Sequence, residues 1–419
     1  MLEFSRKTIA IIVCVITFIF TVIASVETTL VFAGRRRNAF PLTNESETVE
    51  ENDADHITEA YDLLVNNYYV DVDTLDLSEA AIRGMLSSLD DPYTLYYSAE
   101  QMQQTNETRS GEFVGVGVSV VCLGDGNIYV VRSFKDSPAY EAGIIKGDVI
   151  VAVDGKSVSA ENAEELDKVV AMIKGEEGTY VTLGIKRGEE VFSAEVERKA
   201  LISSKVEYSL LDDGIGYILL YDFFGSAVEE MEEAISFFED SGAKGVIIDL
   251  RDNGGGRVDI CVDIADMFLD DCTVFYTEDR TGEREYYTAA DGCTELPLAV
   301  LINENSASAS EIFAAAMKDY NRGIIVGKNS FGKGIMQTTY MLRGTGAAVQ
   351  LTTAEFFSPN GHSIHKIGIS PDIETEANEI TAEQYYLEDV NPEYDAQLKS
   401  AYDYLKNAAS KQETNGQNQ

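Results

Sequence analysis

Between Asn303 and Gln337 the chain reads NENSASASEIFAAAMKDYNRGIIVGKNSFGKGIMQ, a serine-rich turn followed downstream by a lysine set between two glycines. Serine and lysine together can make a nucleophile and its base. The run Leu298 to Ile302 is apolar enough for a buried strand, and Ile312, Ala315, Ala316 and Tyr320 recur at helical spacing after it. The serines therefore fall in a strand-to-helix turn, where unpaired N–H groups and the helix dipole favour a developing negative charge. Ala309 N–H is the first such donor. Lys333 lies between Gly332 and Gly334, whose low bulk lets a lysine enter a crowded, dry site. Desolvation there lowers its pKa, and a neutral amine can take a serine proton. The plainer alternative is that Ser306 caps the helix and Gly-Lys-Gly is a surface loop. The three histidines are His56, His362 and His365, and nothing marks a Ser-His-Asp triad. His362 and His365 stand three apart, but no carboxylate or cysteine cluster accompanies them, so neither a metal nor another cofactor is expected.

These residues need a scaffold, and from Ile202 onward strand and helix patterns alternate. Ile215 to Tyr221, Val246 to Leu250, Leu298 to Ile302 and Gly323 to Val326 read as strands; Ala227 to Phe238, Val258 to Phe268 and Ser308 to Tyr320 read as helices. The order predicts an α/β core with a largely parallel sheet and its active groups at strand C-terminal ends. Leu342 to Phe357 suggests a hairpin turning at Gly344 to Gly346. Upstream, Ile57, Ala60, Leu63 and Leu64, then Ala80, Ile82, Met85 and Leu86, follow helical periods, while Gly111 to Arg198 reads as short strands with one helix, Ala160 to Ile173. Near the end, Ala396, Leu398, Ala401, Leu405 and Ala408 suggest an amphipathic helix packed on the core, with another subunit as the alternative.

SASASEIFAAAMKDY followed by VGKNSFGKGIMQ resembles the signature of the carboxyl-terminal processing proteases, Ser-Lys peptidases of family S41 with an internal PDZ domain. The likeness extends to DDPYTLYYSAEQM, GEFVGVGV, SPAYEAGIIKGDVIVAVDGKSV and DLRDNGGG, and so covers most of residues 55 to 375. It implies a ClpP/crotonase-like α/β core with a largely parallel sheet, an inserted PDZ domain and a small N-terminal helical region. By position it puts the nucleophile on Ser308, the general base on Lys333, the lysine-orienting amide on Gln337, and the oxyanion donors on Ala309 with Gly255 or Gly256. The family often has proline where Gly254 stands, a stiffer loop than three glycines. Val116-Gly117-Val118 resembles the loop by which PDZ domains hold a peptide's terminal carboxylate while the peptide adds to a strand edge. The implied activity is endopeptidase cleavage of proteins or peptides captured by their accessible C-termini. A catalytically silent, membrane-anchored PDZ adaptor and an esterase using the same dyad are the alternatives.

The remaining features place the enzyme and limit its partners. Thr8 to Val26 is uncharged and apolar, close to the ~20 residues that span a bilayer, and is expected to be an N-terminal transmembrane helix; cleavage near Ala24 or Ala33 is the alternative. Arg6 and Lys7 precede it while Arg35, Arg36 and Arg37 follow, so charge leaves the orientation open. The resemblance implies a single-pass protein of the cell membrane with its catalytic domain outside the cytoplasm. The expected division is residues 1–34, a membrane anchor or signal segment; 35–55, an acidic linker; 56–110, the helical region; 111–198, the PDZ domain; 199–375, the peptidase core; and 376–419, a C-terminal helical tail. A formal net charge of −40 argues against nucleic acid, because phosphate binding needs clustered Lys and Arg. A homo-oligomer is left open. Beyond Cys14 in the apolar segment there are Cys122, Cys261, Cys272 and Cys293, and Cys272 with Cys293 is a conceivable disulfide.

Overall fold

Leu298–Ile302 is buried along its whole length, as a strand must be when both faces of its sheet are covered. A computed structural model, which describes residues 53–416, places this strand inside a six-stranded sheet. The described chain divides into two units, up to Thr74 and from Leu75. The first contains α1 (Asp53–Asn67), and α2 (Thr74–Ser87) begins at the division. The transmembrane helix expected over Thr8–Val26 lies outside the described residues; among the described residues no helix is long and apolar enough to cross a membrane.

In the second unit β1 (Leu95–Tyr97) leads into α3 (Ala99–Ser110), which Ser98 opens with a capping box and Gly111, at φ 72°, closes. Next come β2 (Glu112–Gly115), β3 (Val118–Cys122), β4 (Ile128–Ser133), α4 (Pro138–Glu141), β5 (Val149–Val153), β6 (Lys156–Ser157), α5 (Ala163–Ile173), β7 (Tyr180–Arg187), β8 (Glu190–Glu197) and β9 (Lys199–Ile202). Strands β3-β4-β5-β7-β8 form an antiparallel sheet around Ile128, Val130, Ile144, Leu183 and Ile185. The entering β2 and leaving β9 pair with each other, Glu112 opposite Ile202 and Gly115 opposite Lys199. This pairing closes the neck of an inserted domain.

The core follows with β10 (Val206–Leu210), β11 (Ile215–Leu220), α6 (Ala227–Asp240), β12 (Gly245–Asp249), α7 (Val258–Asp266), β13 (Thr273–Asp279), β14 (Arg284–Thr288), β15 (Leu298–Ile302), α8 (Ala309–Asp319), β16 (Gly323–Gly327), β17 (Ile335–Met341), β18 (Ala348–Phe357), β19 (Ile373–Glu374), α9 (Ala382–Tyr386) and α10 (Ala396–Gly416). One sheet runs β10-β11-β12-β15-β16-β19, and every pairing in it after the first is parallel. Phe238, Ile264, Phe268 and Phe313 from α6 to α8 cluster with its Ile218, Ile248, Val300 and Ile325. Leu398, Ala401, Tyr402 and Leu405 of α10 cluster with the alternate residues Tyr217, Ile247, Ala299 and Leu301, so the final helix packs within its own chain.

The expectation of a largely parallel architecture needs correction. A second core sheet, β1-β18-β13-β14 with β17 on β18, is antiparallel throughout, as is the inserted domain. Taken together, the sheets are not largely parallel. The reason lies in short connections: β13 to β14 and β17 to β18 are joined by tight turns, which can link only antiparallel neighbours. The second hairpin turns at Gly344 and Gly346, with φ of 76° and 72°, and its first strand begins seven residues before Leu342. Cys122, Cys261, Cys272 and Cys293 are all free thiols, so the Cys272–Cys293 disulfide is absent.

Candidate active site

Strand β15 ends at Ile302 and α8 begins at Ala309, leaving three serines in and just beyond the turn. Ser306 is fully buried; its hydroxyl donates to the Leu250 carbonyl at 2.7 Å and accepts the Asn303 N–H at 2.9 Å. Ser310, equally buried, donates its hydroxyl to the Asn253 carbonyl at 2.9 Å. Ser308 alone of the three reaches the surface, half-buried at the helix N-cap with φ 57° and ψ −114°. A non-glycine residue held at positive φ carries backbone strain of about 1–3 kcal/mol, and this conformation turns the side chain outward at the head of a helix.

The glycine loop meets the serine turn directly. A Cβ built on Gly255, which has φ +96°, would stand 2.6 Å from the Ala307 carbonyl oxygen and 2.8 Å from the Ala309 nitrogen. No side chain fits there. Asn253, buried, fixes the approach: its amide donates to the Leu220 carbonyl at 2.7 Å, its Oδ1 accepts the Gly255 N–H at 2.8 Å, and its backbone carbonyl accepts the Ala307 N–H at 3.0 Å. The Gly255 N–H is thus engaged inside the loop. Of the three donors expected from the sequence, Ala309 and Gly256 are thus the two without a protein acceptor among the described residues.

Lys333 is joined to Ser308 through Glu311, whose carboxylate is fully buried. Its Oε2 accepts the N–H of Ser308 at 2.9 Å and of Lys333 at 2.8 Å; its Oε1 accepts the Gly332 N–H and the Ser330 hydroxyl, each at 2.6 Å. Sharing one oxygen holds the two amide nitrogens within about 6 Å. Both glycines beside the lysine are constrained: Gly332 has φ +90°, strained for any side chain, with a Cβ also tight at 3.1 Å from the Ile367 nitrogen, and a Cβ at Gly334 would stand 2.2 Å from the His365 nitrogen. Burial lowers the pKa of Lys333 from its ordinary value, the charge of Arg109 acts in the same direction, and Glu311 and Asp91 oppose it. Among the described residues its Nζ makes no hydrogen bond to Ser308; it lies over the ring of Tyr93, 4.7 Å from the centroid.

Gln337 follows on β17, at a register shift, and its amide donates to the Ile335 carbonyl at 3.1 Å. The structure therefore brings Ser308, Ala309, Gly255, Gly256 and Lys333 together, while Gln337 bonds within its own strand. His365 stands beside Gly334 with its Nδ1 buried and unpartnered, and among the described residues no cluster of metal ligands occurs.

In the inserted domain the carbonyls of Val116 and Gly117 accept the N–H groups of Ala139 and Phe134, both at 2.9 Å, and Gly117 at φ 86° presses on Ser137. Val118 opens β3, which lies at the sheet edge beside α5. That edge has free backbone groups for an added strand. Sequence reasoning missed Glu311, Asn253 and Tyr93. The Ser308-x-x-Glu311 spacing of a capping box was the available sign for Glu311; no local pattern announces the other two.

Residues 214–375 match the family model described as peptidase family S41, residues 129–187 that of the PDZ domain, and residues 17–101 that of the activating protease CtpB N-terminal domain. A Staphylococcus haemolyticus (strain JCSC1435) protein named "Probable CtpA-like serine protease" is 38% identical over 327 residues, 77% of this chain and 65% of its own. The chain thus spans a little less than two thirds of that relative. One of the same name from Staphylococcus aureus (strain bovine RF122 / ET3-1) is 35% identical over 362 residues, 85% of this chain and 70% of its own. A solved structure described as "Putative S41 protease from Bacteroides fragilis NCTC 9343" shares the fold, with TM-score 0.56 at 16% identity, over 89% of this chain and 99% of its own. On the identity and coverage it shares with the Staphylococcus aureus protein, the chain belongs to peptidase family S41, the carboxyl-terminal processing proteases.

Proposed function

We propose that the chain is a serine endopeptidase that captures substrate C-termini in its PDZ domain and cleaves peptide bonds through an acyl-enzyme on Ser308. The observation that carries this reading is the shared Glu311 carboxylate, which ties the strained Ser308 turn to the partly desolvated Lys333 beside two uncommitted N–H groups. Neutral Lys333 accepts the Ser308 proton as Oγ attacks the scissile carbonyl, and the resulting oxyanion meets the N–H groups of Ala309 and Gly256. As the C–N bond breaks, the departing amine takes that proton from Lys333, leaving an ester on Ser308. Water then attacks the ester, giving a proton to Lys333, and as the C–O bond breaks Lys333 returns that proton to the departing Ser308 oxygen, restoring the hydroxyl and the neutral amine and leaving the new C-terminus as product. Gln337 orients the amine after leaving its bond to Ile335. The free edge of β3 and the Val116-Gly117-Val118 loop support strand addition by an extended C-terminus. The apolar Thr8–Val26 segment supports a single-pass anchor, and the family likeness, not the flanking charge, is the ground for setting the catalytic domain outside the cytoplasm.

The test compares the full chain with Ser308→Ala and Lys333→Ala on an unfolded protein bearing an apolar C-terminus, followed by mass spectrometry. Cleavage by the parent alone is expected. Equal cleavage by all three would remove this site from the chemistry, and cleavage by none would favour the silent adaptor.

A further inference from the structure

We propose that Tyr93 is a positioning residue for Lys333: its ring seats the charged amine away from Ser308, and loss of the proton releases the neutral amine to the serine. The proposal rests on the Ser-Lys reading above and adds a residue that acts through the lysine. The Nζ of Lys333 lies 4.7 Å from the Tyr93 ring centroid, within the range in which a ring face attracts a cation. That attraction comes from the ring quadrupole acting on full charge, so deprotonation abolishes most of it. The lysine backbone cannot follow, because its N–H is fixed on Glu311 at 2.8 Å; only the side chain swings.

Tyr93 is itself held from both ends. Its N–H donates to Asp91 Oδ1 at 3.0 Å and its carbonyl accepts the Gln350 side-chain amide at 3.1 Å. Thr94 adds a hydroxyl bond to Asp91 Oδ2 at 2.7 Å, and β1 begins at once, with Leu95 registered against Gln350 of β18. The turn Asp91 to Thr94 is thus fixed to the sheet that also carries β17, the strand following Lys333. The charged groups facing the amine are Glu311 from α8, Asp91 from this turn and Arg109 from α3, with His365 acting on Asp91. Removing the ring leaves all of them in place. The ring favours the protonated amine and so raises the pH at which Lys333 loses its proton. Its loss moves the acid limb of activity to lower pH.

The experiment measures kcat/KM against pH on an unfolded protein substrate for the full chain, Tyr93→Leu and Tyr93→Phe, with Ser308→Ala and Lys333→Ala alongside. Tyr93→Leu is expected to move the acid limb down by roughly 0.4–1.5 pH units, while Tyr93→Phe, which keeps the ring face, leaves it in place. An unmoved limb in Tyr93→Leu, or equal movement in both variants, overturns the proposal. Should Tyr93→Leu fail to fold, the parent labelled with 13Cε-lysine decides, Lys333→Arg identifying the resonance. A ring-current shift of the Lys333 signal at low pH that collapses on titration is expected, and its absence or persistence through titration refutes the seat. Cleavage by Ser308→Ala and Lys333→Ala at the parent's rate would overturn the Ser-Lys reading as well; with both inert and the limb unmoved, only the Tyr93 seat is lost.

Discussion

Replacing Glu311 by glutamine changes one oxygen to an amide and tests whether this carboxylate holds the site together. The side chain is fully buried and accepts four hydrogen bonds, two on each oxygen, which fills the acceptor capacity of a carboxylate. In Glu311→Gln one pair of donors faces an NH2 group: either the N–H groups of Ser308 and Lys333, or the Gly332 N–H and the Ser330 hydroxyl. Two buried donors without acceptors cost about 1–3 kcal/mol each. Removing the burial of a charge offsets part of this, so a net loss of about 2–4 kcal/mol is expected. At about 2–4 °C per kcal/mol for a domain of this size, Tm falls by roughly 4–16 °C. Activity falls further than stability, since misplacing a reacting group by an ångström costs about 100-fold. Circular dichroism melting and cleavage of an unfolded protein measure the two effects, with Glu311→Asp, which keeps the charge on a shorter stem, expected between parent and amide. A Glu311→Gln protein melting within about 2 °C of the parent and cleaving at the parent's rate would refute the reasoning.

Three further outcomes follow from the geometry. Because burial lowers the pKa of Lys333 and the proposed reaction needs its neutral form, kcat/KM is expected to rise with pH and level off below the ordinary lysine range, with Lys333→Arg, which never loses its proton, inactive at every pH. A profile without an acid limb, or an active arginine variant, would contradict this. Gly255→Ala, whose Cβ meets backbone at 2.6 Å with φ +96°, abolishes cleavage and lowers Tm, whereas Gly254→Ala, with nothing within 4 Å, leaves Tm unchanged or raises stability by up to about 1 kcal/mol; melting curves that rank the two alike would refute the packing argument. Gly117→Ala drives a Cβ to 2.2 Å from that of Ser137 and is expected to weaken binding of a peptide with an apolar C-terminus at least about tenfold by fluorescence titration, a free-energy difference of about 1.4 kcal/mol. Unaltered affinity would remove the Val116 to Val118 loop from the peptide site.

The alternation of strand and helix after Ile202 was legible because the central parallel strands are largely apolar runs and the helices Ala227–Asp240 and Val258–Asp266 bury one face. Leu298–Ile302 and Ala309–Asp319 fall within a residue or so of the expected bounds. The antiparallel sheet was harder to read, since β1 finds its partner about 250 residues away in β18, and no local period encodes such a pairing. The Ser308 turn and the glycines around Lys333 stand out by composition. The difference between Gly255 and Gly256 does not, for it depends on where the Asn253 side chain points. Glu311 reads in sequence as an ordinary acidic residue in a first helical turn; only the fold brings the Ser330 to Lys333 loop onto it.

The strain at Ser308 explains why these inconspicuous residues matter. A serine at φ 57° left to itself would relax, turning its hydroxyl from the surface. Here the chain is fixed on both sides: Ala307 N–H and the Ser310 hydroxyl are held on the Asn253 carbonyl, Ser308 N–H is held on Glu311, and the Ser308 carbonyl accepts the N–H groups of Glu311 and Ile312 at 2.9 and 3.0 Å. At about 1 kcal/mol for each ordinary bond and more for the charged acceptor, this set exceeds the strain of one unfavourable backbone. The serine is therefore held in position by bonds that do not involve its hydroxyl, which stays available for chemistry. Glu311 does the same for the Lys333 backbone while leaving its amine free to move. The proposed division of labour is a rigid nucleophile and a base that travels on one flexible side chain, between the Tyr93 ring when charged and Ser308 when neutral.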